Sequence, residues 1–346
     1  MKKQLLTLLL MLSTTSLWAI EKDTEGYYLL GSADDWKEFA TLVQSENVVN
    51  AKMIADIDLG EEVVMVGSSQ HHYGGTFDGQ GHTLTIKFDA RDWDMDNHAY
   101  LGIAPFFDTE NATIRNLHTT GSIVVNQVGA SGLIGWTYGI NTIENCWSSV
   151  ELKGIGTKTD TYAGFVFRQD GTWLNIKDCY FSGSFQSIRK VAHGGFVGHQ
   201  VRGGTTITNS LIIFGEDTDI PAGDCYTFVR NVWYEQTGIT INNSYYLRPL
   251  GVIQGTATTE EELSNGTTAT NLQNNREEIV WVQKDGLPML KIFAEGSTDI
   301  ESIYKQASTN KIMQCYSLHG NILSTPQKGI NIVRMNDGTT RKIMVR

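Results

Sequence analysis

The sequence predicts an all-β chain wound as a parallel β-helix, a solenoid with three short strands per coil. Two recurring strings and one absence predict it. The first string occurs as Thr113-Ile114-Arg115-Asn116-Leu117, Thr142-Ile143-Glu144-Asn145-Cys146, Asn175-Ile176-Lys177-Asp178-Cys179, Thr206-Ile207-Thr208-Asn209-Ser210 and Thr240-Ile241-Asn242-Asn243-Ser244. Its isoleucines step by 29, 33, 31 and 34 residues. The second string precedes each: Pro105-Phe106-Phe107, Gly132-Leu133-Ile134-Gly135, Gly164-Phe165-Val166, Gly195-Phe196-Val197-Gly198 and Thr227-Phe228-Val229, stepping by 27, 32, 31 and 32. Two markers that keep one period mean stacked supersecondary units. The absence is of apolar residues at helical spacing within the units; short β-branched runs bounded by Gly, Asn, Asp and Ser stand there instead. Stacking such coils about 4.8 Å apart lays each isoleucine over the next and buries a ladder that no single coil could bury alone. Asn or Asp two positions after the isoleucine suits a tight bend, because these residues tolerate a left-handed backbone.

The elements follow in chain order. Lys2 and Lys3, the apolar run Leu5 to Leu12 and the stretch ending at Ala19 have the layout of a secretory signal, residues 1–19. That run is too short to span a membrane, and no later one is long enough, so no membrane span is expected. Residues 20–60 are read as an N-terminal cap and first strand. Ser32-Ala33-Asp34-Asp35 opens a capping-box-like start, and Trp36, Phe39, Leu42 and Val43 recur at helical spacing up to Gln44. Residues 61–293 hold the coils and their far cap, in which Thr259-Glu260-Glu261-Glu262 starts a brief helix and Trp281, Pro288, Leu290 and Ile292 are expected to cover the open end. Residues 294–310 read as a linker and 311–346 as a small β unit with a turn near Asn336-Asp337-Gly338. With 35 glycines, 5 prolines and 19% charged residues, collagen, coiled-coil and charged disordered chains are poor fits. A net charge of −11 argues against a nucleic-acid partner, which needs a basic face.

These strings resemble the GLUG-repeat proteins of Bacteroidetes. The likeness rests on Ile54-Ala55-Asp56-Ile57-Asp58-Leu59, on Gly75-Thr76-Phe77-Asp78-Gly79-Gln80-Gly81-His82, and on the Gly-Phe-Val-Gly units paired with Ile-x-Asn-Cys units, over roughly residues 25–293. It implies a right-handed coil, as parallel crossover handedness also does, and placement among surface and adhesin-like proteins. Pro105-Phe106-Phe107 and Cys225-Tyr226-Thr227-Phe228 lack the flanking glycines, so the first and last coils are expected to be distorted. With Tyr316-Ser317-Leu318-His319-Gly320, Lys328-Gly329-Ile330-Asn331-Ile332-Val333 and the run Asp337 to Arg346, residues 310–346 resemble the C-terminal sorting domain of Bacteroidetes secretion substrates, which implies delivery to the cell surface or the medium.

Candidate chemistry is sparser. The position after each Gly-Phe-Val string gives a file of Thr109, Trp136, Arg168, His199 and Asn231, with Asp170, Arg202, Arg230 and Glu235 on the same side. Stacked at strand spacing, these side chains can line a lateral sugar groove. A lyase or hydrolase would further need a poised base or two carboxylates at a set separation, and neither pair is specified. Asp92, Asp94 and Asp96 alternate as at the start of a calcium loop, but Ile103 stands where the bidentate acid belongs, so an irregular calcium site and a solvated acidic insertion both remain open. Cys146 and Cys179 share a slot with Ser210 and Ser244, which favours a packed column of small residues over a disulfide. No other cofactor is called for, and His71, His72, His82 and His98 read as loop residues.

The functional expectation is a secreted or outer-cell-surface solenoid that binds without catalysis, adhesin-like or glycan-contacting, with an extracellular glycan or a host or cell-surface protein as partner. Trp136, Tyr138, Arg168, Trp173, His199, Trp233 and Tyr234 are its candidate contacts. A carbohydrate-active enzyme, lyase or glycoside hydrolase, working in the lateral groove is the alternative, and a structural surface spacer is a third.

Overall fold

The computed structural model describes residues 20–93, 102–156, 161–188, 192–219, 223–231, 238–294, 312–317, 322–323, 329–335 and 340–345. Among them, the isoleucines stand in one file. Ile114 pairs with Ile143, Ile143 with Ile176, Ile176 with Ile207 and Ile207 with Ile241, all in parallel register, and Phe77 pairs with Ile114 at the start. The chain is therefore a parallel β-solenoid. We call its three sides faces I, II and III. Face II, which carries the isoleucine file, is an eight-stranded sheet from Tyr28–Leu30 to Gly238–Asn242. Face I has five strands: Phe106–Glu110, Ile134–Tyr138, Val166–Gln169, Val197–Gln200 and Val229–Asn231. Face III holds the longest strands, Thr83–Ala90, His118–Val125 and Trp147–Gly154. A short three-stranded sheet, Gly102–Ile103, Gly129–Ser131 and Tyr162–Ala163, leads into face I, so that side is broken in two.

The bend between faces II and III is where sequence and backbone agree most closely. Asn116, Asn145, Asp178, Asn209 and Asn243 all have φ between 43° and 55°, the left-handed region these residues tolerate. Their amides also bond along the stack. Asn145 donates to Asn116 at 2.7 Å, Asn116 to Asp78 at 2.9 Å and Asn243 to Asn209 at 2.8 Å. The slot beside the bend is filled by buried thiols and hydroxyls. Cys146 and Cys179 are not bonded to each other; each thiol points at carbonyls, as Ser210 and Ser244 do in the same slot.

At the entrance a helix packs against the first coils. Helix α1 (Ala33–Val43) is N-capped by Ser32, whose hydroxyl accepts from the Asp35 amide at 3.2 Å. Its Trp36, Phe39, Ala40 and Val43 are buried, and the Trp36 ring meets Phe77 at 5.7 Å and Phe106 at 5.5 Å, edge to face. Burying each large side chain is worth about 1.5–3 kcal/mol.

The far cap is placed differently from the expectation. Helices α2 (Glu260–Ser264) and α3 (Thr267–Gln273), the hairpin Trp281–Lys284 with Leu287–Leu290, and helix α4 (Lys291–Ala294) do not sit on the open end alone. They form a strap that runs back along the outside of face III. There the register puts His118, Trp147, Tyr180, Leu211 and Tyr245 in one outward file. Leu263, Leu272, Trp281 and Leu290 bury against that file, Phe293 reaches His118 and Trp147, and Ile292 lies over Gly81 near the entrance. The apolar lane is what draws the strap sideways. Ile239 and Ile241 of the last coil stay half-buried.

Asp178 is the anchor. As the one acid among these five bend residues, it has no amide to donate, and Asn145 Oδ1 is left without a partner. Arg276 of the strap donates to both its oxygens, at 2.7 and 2.8 Å, and Trp281 Nε1 donates at 3.1 Å. A bidentate guanidinium is the strongest neutral-pH partner for a buried carboxylate.

Residues 296–346 form a separate compact unit. Its strands are antiparallel, in the order 322–323, 312–317, 329–335 and 340–345, which agrees with the small β unit expected. The turn expected near Asn336 lies outside the described residues. No helix among the described residues is long and apolar enough to cross a membrane.

Candidate functional site

Face I brings three of the expected residues together and corrects the file they stand in. Trp136 pairs with Arg168 and Arg168 with His199, but Trp136 pairs on its other side with Asp108, not Thr109. The slip arises because Phe106 is the counterpart of Ile134, one position later than the string comparison places it. At the last coil, Val229 pairs with Val197 and Asn231 with Gln200, across a register shift. The strand from Val229 is one residue short there, so Asn231 leaves the file and Arg230 reaches His199 instead, Nη1 donating to Nδ1 at 3.1 Å. This is the distortion expected of the last coil. Thr109, Thr137, Gln169 and Gln200 instead form a fully buried polar file, in which the Thr137 hydroxyl donates to Gln169 and the Thr205 hydroxyl to Gln200.

The groups around Trp136 are closely packed. Its indole is parallel to the Tyr138 ring at 5.9 Å, the Arg168 guanidinium lies over it at 4.1 Å, and the His72 ring leans on Tyr138 at 4.5 Å, tilted by 49°. Arg168 also pairs with Asp170 at 3.0 Å, and Arg202 approaches the other oxygen of Asp170 at 3.0 Å. The Arg168 guanidinium thereby occupies one face of the indole. Asp108 is 1% exposed, and among the described residues the cation that pairs with it is His72, whose Nδ1 stands 3.6 Å away, beyond hydrogen-bond reach. Burial pushes its carboxyl up to about 7. His199 is pushed down to about 3, by burial first and then by the charges of Arg230 and Arg168, so its ring stays neutral and accepts from Arg230. Burial also raises the Tyr138 phenol, with Asp108 and Asp170 adding to it. Arg230 is buried against Asp224, to which its Nη2 and Nε donate.

Face II holds the other described candidate, Trp173, in a different setting. The register aligns Ile140, Trp173, Gly204 and Gly238. The six-membered ring of Trp173 lies over Gly204, where a Cβ would come within 2.3 Å of it, and reaches Gly238. Its Nε1 donates to Thr206 Oγ1 at 3.1 Å, which fixes the ring across the neighbouring coil. One side rests on the glycine backbone and the other is open: Trp173 is 36% exposed and Ile140 beside it 53%. Thr142, Asn175, Thr206 and Thr240 run alongside in the next outward file. The glycines at 204 and 238 are a signal the sequence offered and that the repeat strings passed over.

Trp233, Tyr234, Asp94 and Asp96 lie outside the described residues, as does Glu235. Asp92 is exposed, and among the described residues no three His, Cys, Asp or Glu side chains converge to hold a metal. Sequence reasoning missed Asp108 and His72, whose roles emerge only from the register of face I.

No family model matches the chain. No curated protein matches it either. Among solved structures it is similar to the crystal structure of a "putative immunoglobulin A1 protease" from Bacteroides ovatus, with 17% identity and a TM-score of 0.48 over 78% of this chain and 94% of that one. Likeness at that level bears on neither activity nor ligand.

Proposed function

We propose that this solenoid is a secreted or outer-surface protein that contacts glycans without catalysis, and that Trp173 is its main contact. The observation that carries the reading is the indole laid flat on the glycine shelf of Gly204 and Gly238, held by Thr206 and open to solvent. A pyranose presents a patch of C–H groups that packs against such a π face, while its hydroxyls meet the flanking Thr142, Asn175 and Thr240. A ring already fixed by its own hydrogen bond loses little freedom on binding. The export expectation rests on the pattern of residues 1–19. A glycan array probed with the chain from Ile20 onward tests the reading: binding is expected, and Trp173→Ala is expected to abolish it. Retention of binding by the folded Trp173→Ala variant would refute it.

The enzyme reading has one specific support, a buried carboxyl near neutral pKa at Asp108, with Tyr138 and the ion-paired Asp170 close by. It requires product release from the polysaccharides that bind, lost in Asp108→Asn. Binding without release sets it aside.

A further inference from the structure

The apolar surface around Trp173 has a direction. On face II the unbroken register sets Ile140, Trp173, Gly204 and Gly238 one above another, and the indole, rooted in its own coil, crosses Gly204 and reaches Gly238. Ile140 and Trp173 are both exposed. Together they make a lane one residue wide that runs along the solenoid axis, at right angles to the strands, for three strand spacings or about 14 Å. That is longer than a single sugar ring. The flanks of the lane are polar and balanced in charge. Two positions along each strand, Thr142, Asn175 and Thr240 offer hydroxyl and amide groups. Two positions further, Asp78, Arg115, Glu144 and Lys177 alternate in sign, Arg115 pairing with Asp78 at 2.9 Å and Lys177 with Glu144 at 2.8 Å. On the opposite flank Arg202 pairs with Asp170 at 3.0 Å.

Shape and charge together select the occupant. Each of these three cations already has a carboxylate, so a uronate or sulfated chain would have to break an ion pair to be held, whereas a neutral chain breaks none. Resting on the reading that Trp173 contacts glycan, we infer that the ligand is a neutral, extended β-1,4-linked chain lying along the solenoid axis. Equatorial bonds at both ends of each ring keep successive rings in one line, which makes such a chain a ribbon with apolar C–H faces and hydroxyl edges. Its face rests on Trp173 and Ile140 in turn, and one edge meets Thr142 and Asn175. An α-1,4-linked chain turns at each axial bond and leaves a straight lane within a ring or two. The coil stacking that builds the solenoid thus also sets the direction of the ligand.

Titration calorimetry on the chain from Ile20 onward tests both parts. The neutral ribbons are cellohexaose, xylohexaose and mannohexaose; maltohexaose changes the linkage, and β-1,4-linked hexamannuronate keeps it while adding a charge to every ring. The tightest neutral ribbon is expected to bind at least about tenfold more tightly than either control. Ile140→Asn should weaken that ribbon by about tenfold, the worth of one aliphatic contact, and Ile140→Ala should shift it in the same direction. Ile140 is exposed, so melting temperatures should stay at the native value and show that neither variant is misfolded. Equal or tighter binding of maltohexaose or hexamannuronate overturns the inference, and so does full affinity in both Ile140 variants. If Trp173→Ala still abolishes binding in those cases, the shelf reading survives alone. A blank glycan array removes both.

Discussion

Replacing Asp178 with asparagine asks what holds the strap to the solenoid. In the native protein the carboxylate is buried and takes two guanidinium bonds from Arg276, at 2.7 and 2.8 Å, and one indole bond from Trp281, at 3.1 Å. Removing its charge forfeits charge-assisted bonds worth about 1.5–3 kcal/mol, and leaves a half-buried guanidinium facing a neutral amide. The new amide recovers part of this, about 1 kcal/mol, by donating to the orphaned Asn145 Oδ1 and completing the ladder. The expected balance is a loss of about 1–2 kcal/mol, concentrated in the strap rather than in the coils, where Lys177 Nζ lies 3.9 Å from the carboxylate and keeps its closer pairing with Glu144 at 2.8 Å. Hydrogen exchange read by mass spectrometry should show residues 260–294 opening roughly ten times more often, with the strands of face II unchanged. Arg276→Met should give the same pattern, and the double substitution should add little to either. If exchange in the strap is unaltered by Asp178→Asn, or if the coils loosen as much as the strap, the anchoring role is wrong.

Further outcomes follow from the same contacts. Gly204→Ala puts a Cβ within 2.3 Å of the Trp173 ring; it should cost no more than about 1 kcal/mol in a urea melt, yet reduce glycan binding as Trp173→Ala does, because the shelf is lost. The Asp108 carboxyl, raised to about 7 from 3.8, keeps its proton in the folded state at pH values where the unfolded chain has released it. Stability from that proton is fully present below about pH 4 and lost as pH rises through about 7, up to roughly 4 kcal/mol. Asp108→Asn should therefore match the native protein at pH 4 and exceed it at pH 8 in denaturant melts, and equal curves at both would contradict the burial argument. Cys146→Ser and Cys179→Ser should fold normally, since Ser210 and Ser244 occupy the same slot and bond the same carbonyls; a loss above about 3 kcal/mol would mean that thiol packing matters more than slot geometry.

The parts of this architecture that repeat were legible in the sequence. Ile114, Ile143, Ile176, Ile207 and Ile241 announce their file because each coil must bury the same residue at the same bend, and Asn116 to Asn243 announce the bend because few residues accept a left-handed backbone. The N-terminal helix was legible for a local reason, a Ser32 cap before Trp36 and Phe39. What failed were judgements that need register between coils. A slip of one residue at Phe106 put Thr109 where Asp108 stands, and a strand one residue short at Val229 put Asn231 where Arg230 acts. The strap was misplaced because Trp147, Tyr180 and Leu211 read as ordinary strand residues until stacking turns them into an apolar lane. Trp173 was named as a contact, but its support is a pair of glycines just ahead of Ile207 and Ile241 that the repeat strings do not include.

All of these readings descend from the coil register, and spin labels at Thr76 and Thr240 measure it. The pairings Thr76 with Thr113, Thr113 with Thr142, Thr142 with Asn175, Asn175 with Thr206 and Thr206 with Thr240 place those two positions at the ends of one outward file on face II. Five strand spacings of about 4.8 Å give a backbone separation of about 24 Å. Double electron–electron resonance on Thr76→Cys/Thr240→Cys, with the four native thiols replaced, should return a single narrow distance population consistent with that spacing once the label arms are included. A broad distribution, or a distance displaced by a full strand spacing or more, would mean that the coils do not stack like over like, and the Trp173 shelf and the face I cluster would fall with them.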